Sequence, residues 1–498
     1  MGYWAKKTLN KSSSILRNPG FVLGHLTPNP RLLPITLIAA VVWLATFVPG
    51  FWGGAGAWGF RIACAALWIW LAIALFRTPI QRSPLVAPLF LIVTSALWFY
   101  AIIPVGFASA VIITRSHALE STIFGAFYGA SPNLLPRLID SAGELAVSRF
   151  SLAGIAALAW ALPAHHQEPS KANIMDSSLL PSRWLIIGLG AGSVVFYVLT
   201  RNNYFLPNVI WAEAVRQANF AFLALYGAMI GLAVLRVVMR IEGAMVDLVI
   251  VAVAAIGFVP SGGAKLAVFI LGTSGMAVAL ARRSGILVVG AIAGSLAVMV
   301  AGVVMRQYES ASLSEKINRT GSILAAKVVA RQAETTDCLT GVIHAYSDGR
   351  EVPFNPFYFM AGLAPRFLWP DKPNLSASGR IVIKYCDLNI RQNLTSNLSH
   401  SASGTLLWEP LNFAGVPGQI VAQTLMFLTL TLLSRIWING GLYAAAGVLS
   451  LTPWAIDFDQ HFALYMANLT KAGLVVSVAL ILLRWVYKDN SDPTIRPS

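Results

Sequence analysis

A proline-rich turn in the second half of the chain carries two basic residues next to an aromatic ring. Residues 364–373 read APRFLWPDKP. Three prolines in so short a stretch exclude a helix and fix a stiff, extended turn, which holds Arg366 and Lys372 in defined directions beside Trp369. Guanidinium and ammonium groups bind phosphate as a fork and as a point charge. The turn therefore predicts an anion site.

A basic row follows this turn. Its three members stand at spacings of four and seven, so a helix over residues 377–392 would place them on one face: Arg380, Lys384 and Arg391. Such a row attracts anions. A solvated basic face, or one that rests on lipid headgroups, is the alternative interpretation, and the nearby turn favours phosphate.

Three more cations stand beside apolar runs. Residues 259–266 read VPSGGAKL, and Lys265 in this turn could bind phosphate or extend its side chain to a membrane interface. Arg201 and Arg216 flank another polar loop that contains Trp211 and Glu213. They could bind a phosphate from the side opposite to the basic residues of the long polar segment. The simpler interpretation is that Trp and Arg anchor the loop at the membrane interface.

Several side chains could act as a general base near these cations. His400 is the first choice, because it lies in the polar run NLSHS between the basic row and the next apolar run. A cluster of titratable residues close to lipid is costly and indicates function, and one precedes the last apolar run: Asp457, Asp459 and His461. The remaining candidates are Glu409, His344 and Glu213.

The chain contains three cysteines. Cys338 and Cys386 share one long polar segment, and in an oxidising compartment they could form a disulfide, with two reduced thiols as the alternative. Cys64 lies inside an apolar run. The spacing of Cys and His does not suggest a zinc site, and there is no HExxH motif, so no metal and no cofactor are expected.

The elements that must position these residues are membrane helices. Of 498 residues, 56% are hydrophobic and 11% are charged, and the mean hydropathy is +0.67. These values exclude a soluble enzyme, which has roughly 25% charged residues. The apolar runs have the length of membrane spans, and about twelve are expected: 33–51, 58–76, 85–105, 145–162, 184–199, 218–235, 244–259, 266–281, 286–304, 415–433, 438–455 and 462–483.

The positions of Lys and Arg predict the orientation. The net charge is +15, and the basic residues of the N-terminus, of alternate short loops and of the C-terminus fall on one face. The positive-inside rule makes that face cytoplasmic, with both termini inside and the first span retained, and no nucleic acid is needed to explain the charge. The other face carries the loops 106–144, 200–217 and 306–414. The first of these is amphipathic and expected to lie along the membrane.

The long loop divides the chain into three parts. Residues 1–305 are expected to hold nine spans with short loops, residues 306–414 a large and partly helical outward loop, and residues 415–498 three spans and a cytoplasmic tail. A connection of that length usually has a function of its own.

Two segments of the chain resemble a known family. PRFLWPDKP in the long loop is followed some forty residues later by EPLNFAGVPG, which leads into a span. The combination is similar to the bacterial O-antigen polymerases, the oligosaccharide repeat-unit polymerases, and the resemblance is specific over residues 355–428. A small-residue turn followed by Arg is common in the family where this chain has the turn ending in Lys265, which keeps the charge and loses the bidentate fork.

The resemblance implies a fold, a reaction and a place. The fold would be an all-α membrane protein of GT-C-like architecture in the bacterial inner membrane, with a periplasmic loop. The acceptor hydroxyl of one lipid-linked repeat unit would attack the anomeric carbon of a sugar chain on undecaprenyl pyrophosphate, without a metal. The product would be a lipopolysaccharide or exopolysaccharide chain, and a flippase and a chain-length regulator would be possible partners besides the membrane lipids.

Two other functions compete with the polymerase. An O-antigen ligase has a similar architecture and transfers the glycan to the lipid A core. A secondary transporter would also have about twelve spans and broken helices such as the turn at 260–265. Against it stand the long outward loop, the absence of a visible internal repeat and the scarcity of acidic residues in the spans, of which Asp247 is the clearest.

Overall fold

The computed structural model describes most of the apolar parts of the chain. The described residues are 32–48, 55–76, 83–102, 106, 141–161, 180–201, 212–258, 264–306, 340–341, 343–345, 348, 364, 369, 371, 406–407, 411–457, 460 and 462–489. Within these residues every regular secondary-structure element is a helix, and no β-strand occurs.

Twelve apolar α-helices have described boundaries. In chain order they are α1 Leu33–Ala45, α2 Ala55–Phe76, α3 Pro88–Ala96, α4 Ser141–Ala161, α5 Arg183–Arg201, α6 Ala212–Val238, α7 Ala244–Ala254, α8 Ala264–Arg282, α9 Gly285–Arg306, α10 Leu411–Asn439, α11 Leu442–Ala455 and α12 Phe462–Asp489. Each of the twelve runs expected from the sequence overlaps one of these helices.

The helices identify a helical membrane protein. Six of them, α2, α5, α6, α8, α10 and α12, are long and apolar enough to cross a bilayer, and the apolar parts of the other six are shorter. Large apolar side chains cover the outside of the bundle, for example Ile62, Val289 and Leu474, each 67% exposed. Such a surface is stable only against lipid, because a soluble protein rarely exposes large apolar patches.

Local chemistry explains where several helices end or change. α1 stops at Ala45, short of the expected 51, where Thr46 donates to the carbonyl of Trp43 and Pro49 follows. The residue before a proline disfavours the helical conformation. α3 widens into a π-helix over Leu97–Ile102, and α7 tightens into a 3₁₀ turn over Ala255–Phe258 ahead of Pro260.

The core of the bundle lies around α6. In the apolar stretch of α6, 72% of the residues are buried, against 28% in α2. α6 packs against α5, α7, α8, α11 and α12. Small residues allow this approach: Ser450 of α11 donates to the carbonyl of Gly227 at 2.8 Å. Membrane helices pack closely where glycine and serine face each other.

The helix ends form two groups: the lower end holds the last residues of α4, α6, α8 and α10, and the upper end holds their first residues. At the lower end of the bundle, arginines bind the last carbonyls of neighbouring helices: Arg282 donates to Val237 of α6 and Arg435 to Trp160 of α4. These carbonyls belong to the last turn of their helix, at its negative end, which favours a cation.

At the upper end, two arginines that the topology assigns to the outward face have similar partners. Arg149 of α4 donates to the carbonyl of Thr46 at 2.6 Å, and Arg61 of α2 donates to that of Ala101 at 2.6 Å. Each of these contacts joins ends that the predicted topology puts on the same side.

Candidate functional site

An ion pair at the upper end joins two of the residues predicted from the sequence. Lys265, the second residue of α8, places its Nζ 2.5 Å from Oδ1 of Asp457, which follows α11. The lysine side chain is 46% exposed and the carboxylate 14% exposed. The pair brings together two turns that lie almost two hundred residues apart in the chain.

Hydrogen bonds extend this pair into α12. Gln460 donates from its amide to Oδ2 of Asp457, and Asn468 of α12 donates to the amide oxygen of Gln460 at 2.8 Å. Tyr465 closes the same turn by donating to the carbonyl of Ala455 at 2.9 Å. Asp457 therefore contacts Lys265 through Oδ1 and accepts from Gln460 through Oδ2. It holds the ammonium of Lys265 in a fixed position, where about half of the lysine side chain is exposed.

A second lysine lies deeper on α12 and was missed from the sequence. Lys471 is inside the apolar stretch 464–487, one turn below Asn468. Its Nζ is 5.1 Å from the centre of the Phe220 ring, and that ring packs on Trp454 with centroids 4.6 Å apart. The signal was available in the sequence, since an ionisable residue in a span is rare and indicates function.

The exposed and polar groups at this end suit an anionic headgroup. Lys265 and Lys471 lie on α8 and α12, and the aromatic ring beside each, Phe269 at 5.8 Å and Phe220, attracts a cation without carrying charge. The described part of the site supplies ammonium groups, a carboxylate and amides, so it can bind phosphate and hydroxyl groups.

At the lower end, a buried carboxylate is held by two arginines. Asp247 of α7 is 1% exposed, and its oxygens lie 3.0 Å from Arg183 of α5 and 3.7 Å from Arg236 of α6. Arg236 also donates to the carbonyl of Pro181. This acid ties three helices together, so the most evident acidic residue of the spans has a structural role.

Many of the predicted site residues lie outside what the structure describes. This holds for the backbone or side chain of the following: His400, Asp459, His461, Glu409, Arg366, Lys372, Arg380, Lys384, Arg391, Arg201, Arg216, Glu213, Cys338 and Cys386. Their roles stay predictions. Trp369 is described and is 43% exposed. His344 is exposed in a short helical stretch, and its carbonyl accepts from the amide of Asp348. Cys64 is a free, buried thiol.

No family model, curated protein or solved structure matches the chain. The function proposed for the chain therefore depends on the chemistry of the candidate residues, on the geometry of the upper end and on the resemblance of residues 355–428 to the O-antigen polymerases.

Proposed function

We propose that the chain is a polysaccharide polymerase of the bacterial inner membrane. It joins oligosaccharide repeat units carried on undecaprenyl pyrophosphate at the periplasmic face. The observation that carries this proposal is the ion pair between Lys265 and Asp457. It joins two residues that the sequence indicated separately: Lys265 as a candidate phosphate ligand or interface anchor, and Asp457 as part of a cluster of titratable groups.

The chemistry of the transfer matches this pair. The departing lipid pyrophosphate carries several negative charges, and fixed cations stabilise such charge as it develops. Asp457, which itself accepts a hydrogen bond from Gln460, holds the ammonium of Lys265 in place before substrate arrives, so little reorganisation is needed when the glycosidic bond breaks. Lys471, one turn below Asn468, supplies a second cation where the lipid chain enters the bilayer.

The proposed topology has about twelve spans with GT-C-like architecture and both termini in the cytoplasm. Support comes from the lower end, where arginines of alternate loops gather and bind helix ends, as the positive-inside rule requires of a cytoplasmic face. In this topology the shorter helices also cross the bilayer. Irregular turns lengthen them, such as the π-helix that continues α3, and arginines bind their ends.

The long loop completes the site in this proposal. Arg366 and Lys372, supported by the row Arg380, Lys384 and Arg391, bind the pyrophosphate from above, and Arg201 and Arg216 approach from the side. His400 removes the proton of the acceptor hydroxyl, with Asp457, Asp459, His461 or Glu409 as the other candidates. Cys338 and Cys386 close the loop as a disulfide. No metal takes part.

A deletion strain complemented with variants tests the proposal. Without the gene, glycan should remain as single repeat units on the lipid carrier. Lys265→Ala should restore almost no polymer, and Lys265→Arg should restore most of it, because the charge is kept. Arg484→Ala is the matched control, since Arg484 is exposed at the other end of α12, and it should restore parental chain lengths.

The same profile separates the alternatives. Lipid-linked polymer that never reaches the lipid A core would indicate the ligase. An unaltered glycan profile in the deletion strain would refute both enzymes and leave the transporter. Equal polymer from Lys265→Ala and Lys265→Arg would remove Lys265 from the phosphate site.

A further inference from the structure

Two glutamines interrupt the interior face of α10. The buried side of this helix repeats every three to four residues and runs from its upper end inward: Gln419, Gln423, Met426, Phe427, Leu430 and Ser434. The opposite side is lipid-facing and apolar, with Val421, Leu425 and Leu432 all more than half exposed. Apolar residues are expected on the interior face as well, so the two amides need an explanation.

The amide of Gln423 has no partner among the described residues. The side chain is 1% exposed, and neither its nitrogen nor its oxygen makes a hydrogen bond there. Gln419 is 2% exposed and donates to the carbonyl of Leu407 at 3.2 Å, while its oxygen has no partner in the same part of the chain. Burial of an amide without a hydrogen bond is costly, and native proteins rarely retain it without a reason.

The helix register places Gln423 on the side of α10 that faces α4. Phe427, one turn further inward on α10, packs on Phe150 of α4 with ring centroids 5.1 Å apart. Gln423 lies one turn above Phe427 on the same side of α10. α4 contributes another polar group without a partner among the described residues, the fully buried hydroxyl of Ser151, which follows Phe150 in the chain.

We propose that Gln419 and Gln423 form a subsite for the hydroxyl groups of a carbohydrate in the upper half of the seam between α4 and α10. This rests on the proposed function. The groups are neutral and offer both donors and acceptors, which suits sugar hydroxyls and not a phosphate or a lipid chain. The bond from Gln419 to Leu407 links the subsite to the end of the long loop.

The structure holds this subsite closed. Pro417 lies inside α10 above both glutamines and has no N–H to bond to the preceding turn. The hydrogen-bond ladder of α10 is therefore interrupted just above the two glutamines, so the helix can bend there at a low cost and let a hydroxyl reach Gln423 from the upper end. The orphan amides favour this opening, because they gain partners only when a ligand or water enters.

A binding measurement that does not need turnover tests the subsite. The probe is the lipid-linked repeat unit extracted from the deletion strain, and the readout is the thermal stabilisation of purified protein as the probe is titrated. Gln423→Met keeps the shape of the side chain and removes both polar atoms. Its unliganded melting temperature should equal or exceed that of the parent, while half-saturation should need about tenfold more probe, since two hydrogen bonds are lost.

Thr431→Val is the matched control. Thr431 has a buried hydroxyl without a partner among the described residues, on the same helix and about 12 Å further inward. The unliganded melting temperature of this variant should likewise equal or exceed that of the parent. Its half-saturation should occur at the same probe concentration as in the parent. Gln423→Leu replaces the methionine variant if that one does not fold.

Each outcome decides one point. Parental half-saturation in Gln423→Met overturns the subsite and leaves the amides to bound water, whatever the polymerase assay gives. A parent that is stabilised by the probe but makes no polymer refutes the proposed reaction and keeps the subsite. A parent that neither binds the probe nor polymerises it overturns both.

Discussion

Gly231 of α6 is a position where a single added carbon should disturb the contact between α6 and α11. A Cβ at this position would lie 2.5 Å from the carbonyl oxygen of Ala446 and 2.8 Å from the hydroxyl of Ser450, both on α11. Non-bonded heavy atoms prefer a separation of about 3.5 Å or more. Gly231→Ala must therefore push α6 and α11 apart by on the order of 1 Å, because the nearest atom belongs to the backbone and cannot rotate away.

The expected cost follows from two opposing effects. Overpacking a well-packed interface costs about 1–3 kcal/mol, and the hydrogen bonds of Ser450 to Gly227 and Ala446 would weaken as the helices separate. Alanine gains up to about 1 kcal/mol over glycine in helix propensity. The control is Gly188→Ala on α5. A Cβ at this position would have no atom within 4 Å, so the substitution changes only the helix propensity.

The difference between the two variants isolates the packing effect. In SDS-induced unfolding of protein in bicelles, Gly231→Ala should be less stable than Gly188→Ala by roughly 1–3 kcal/mol. Equal unfolding free energies would show that α6 and α11 are not in the close contact that the structure gives them.

Three further predictions concern the lower end, the cysteines and the base. Asp247→Asn should lower the unfolding free energy by about 2 kcal/mol, which is less than for a fully buried pair because Arg183 is 44% exposed. The control is Glu242→Gln, since Glu242 is exposed. An equal loss of unfolding free energy in both variants would show that the buried acid does not stabilise the bundle. Thiol reagents added from outside should label neither Cys338 nor Cys386 until a reductant is added; labelling of both beforehand would exclude the disulfide. His400→Ala should lose roughly 10²–10⁴ in polymerisation rate while donor still binds. A parental rate together with failure of His461→Ala would move the base to the turn before α12; Asp457→Asn also removes the partner of Lys265, so its failure alone does not identify the base.

The positions of the helices could be predicted from the sequence. A run of apolar residues long enough to cross the bilayer must satisfy its backbone internally, and a helix does so without reference to any other part of the chain. Each expected run therefore overlaps a described helix, although only six of these helices are long and apolar enough to cross a bilayer. The ends differ by several residues, in some places because of local chemistry, as at Thr46 and ahead of Pro260. The chemical types at the upper end, such as Lys265 and Asp457, could likewise be selected as unusual residues.

Which helices face each other was decided only by the tertiary structure. The ion pair of Lys265 with Asp457, the ring of Phe220 beside Lys471 and the contact of Gly231 with Ala446 all join residues far apart in the chain. In lipid, an apolar face packs against another helix or against an acyl chain with similar energy, so hydrophobicity does not select partners. Partner choice depends on the fit of small residues and on a few polar contacts, and these can be recognised only once both surfaces are in place.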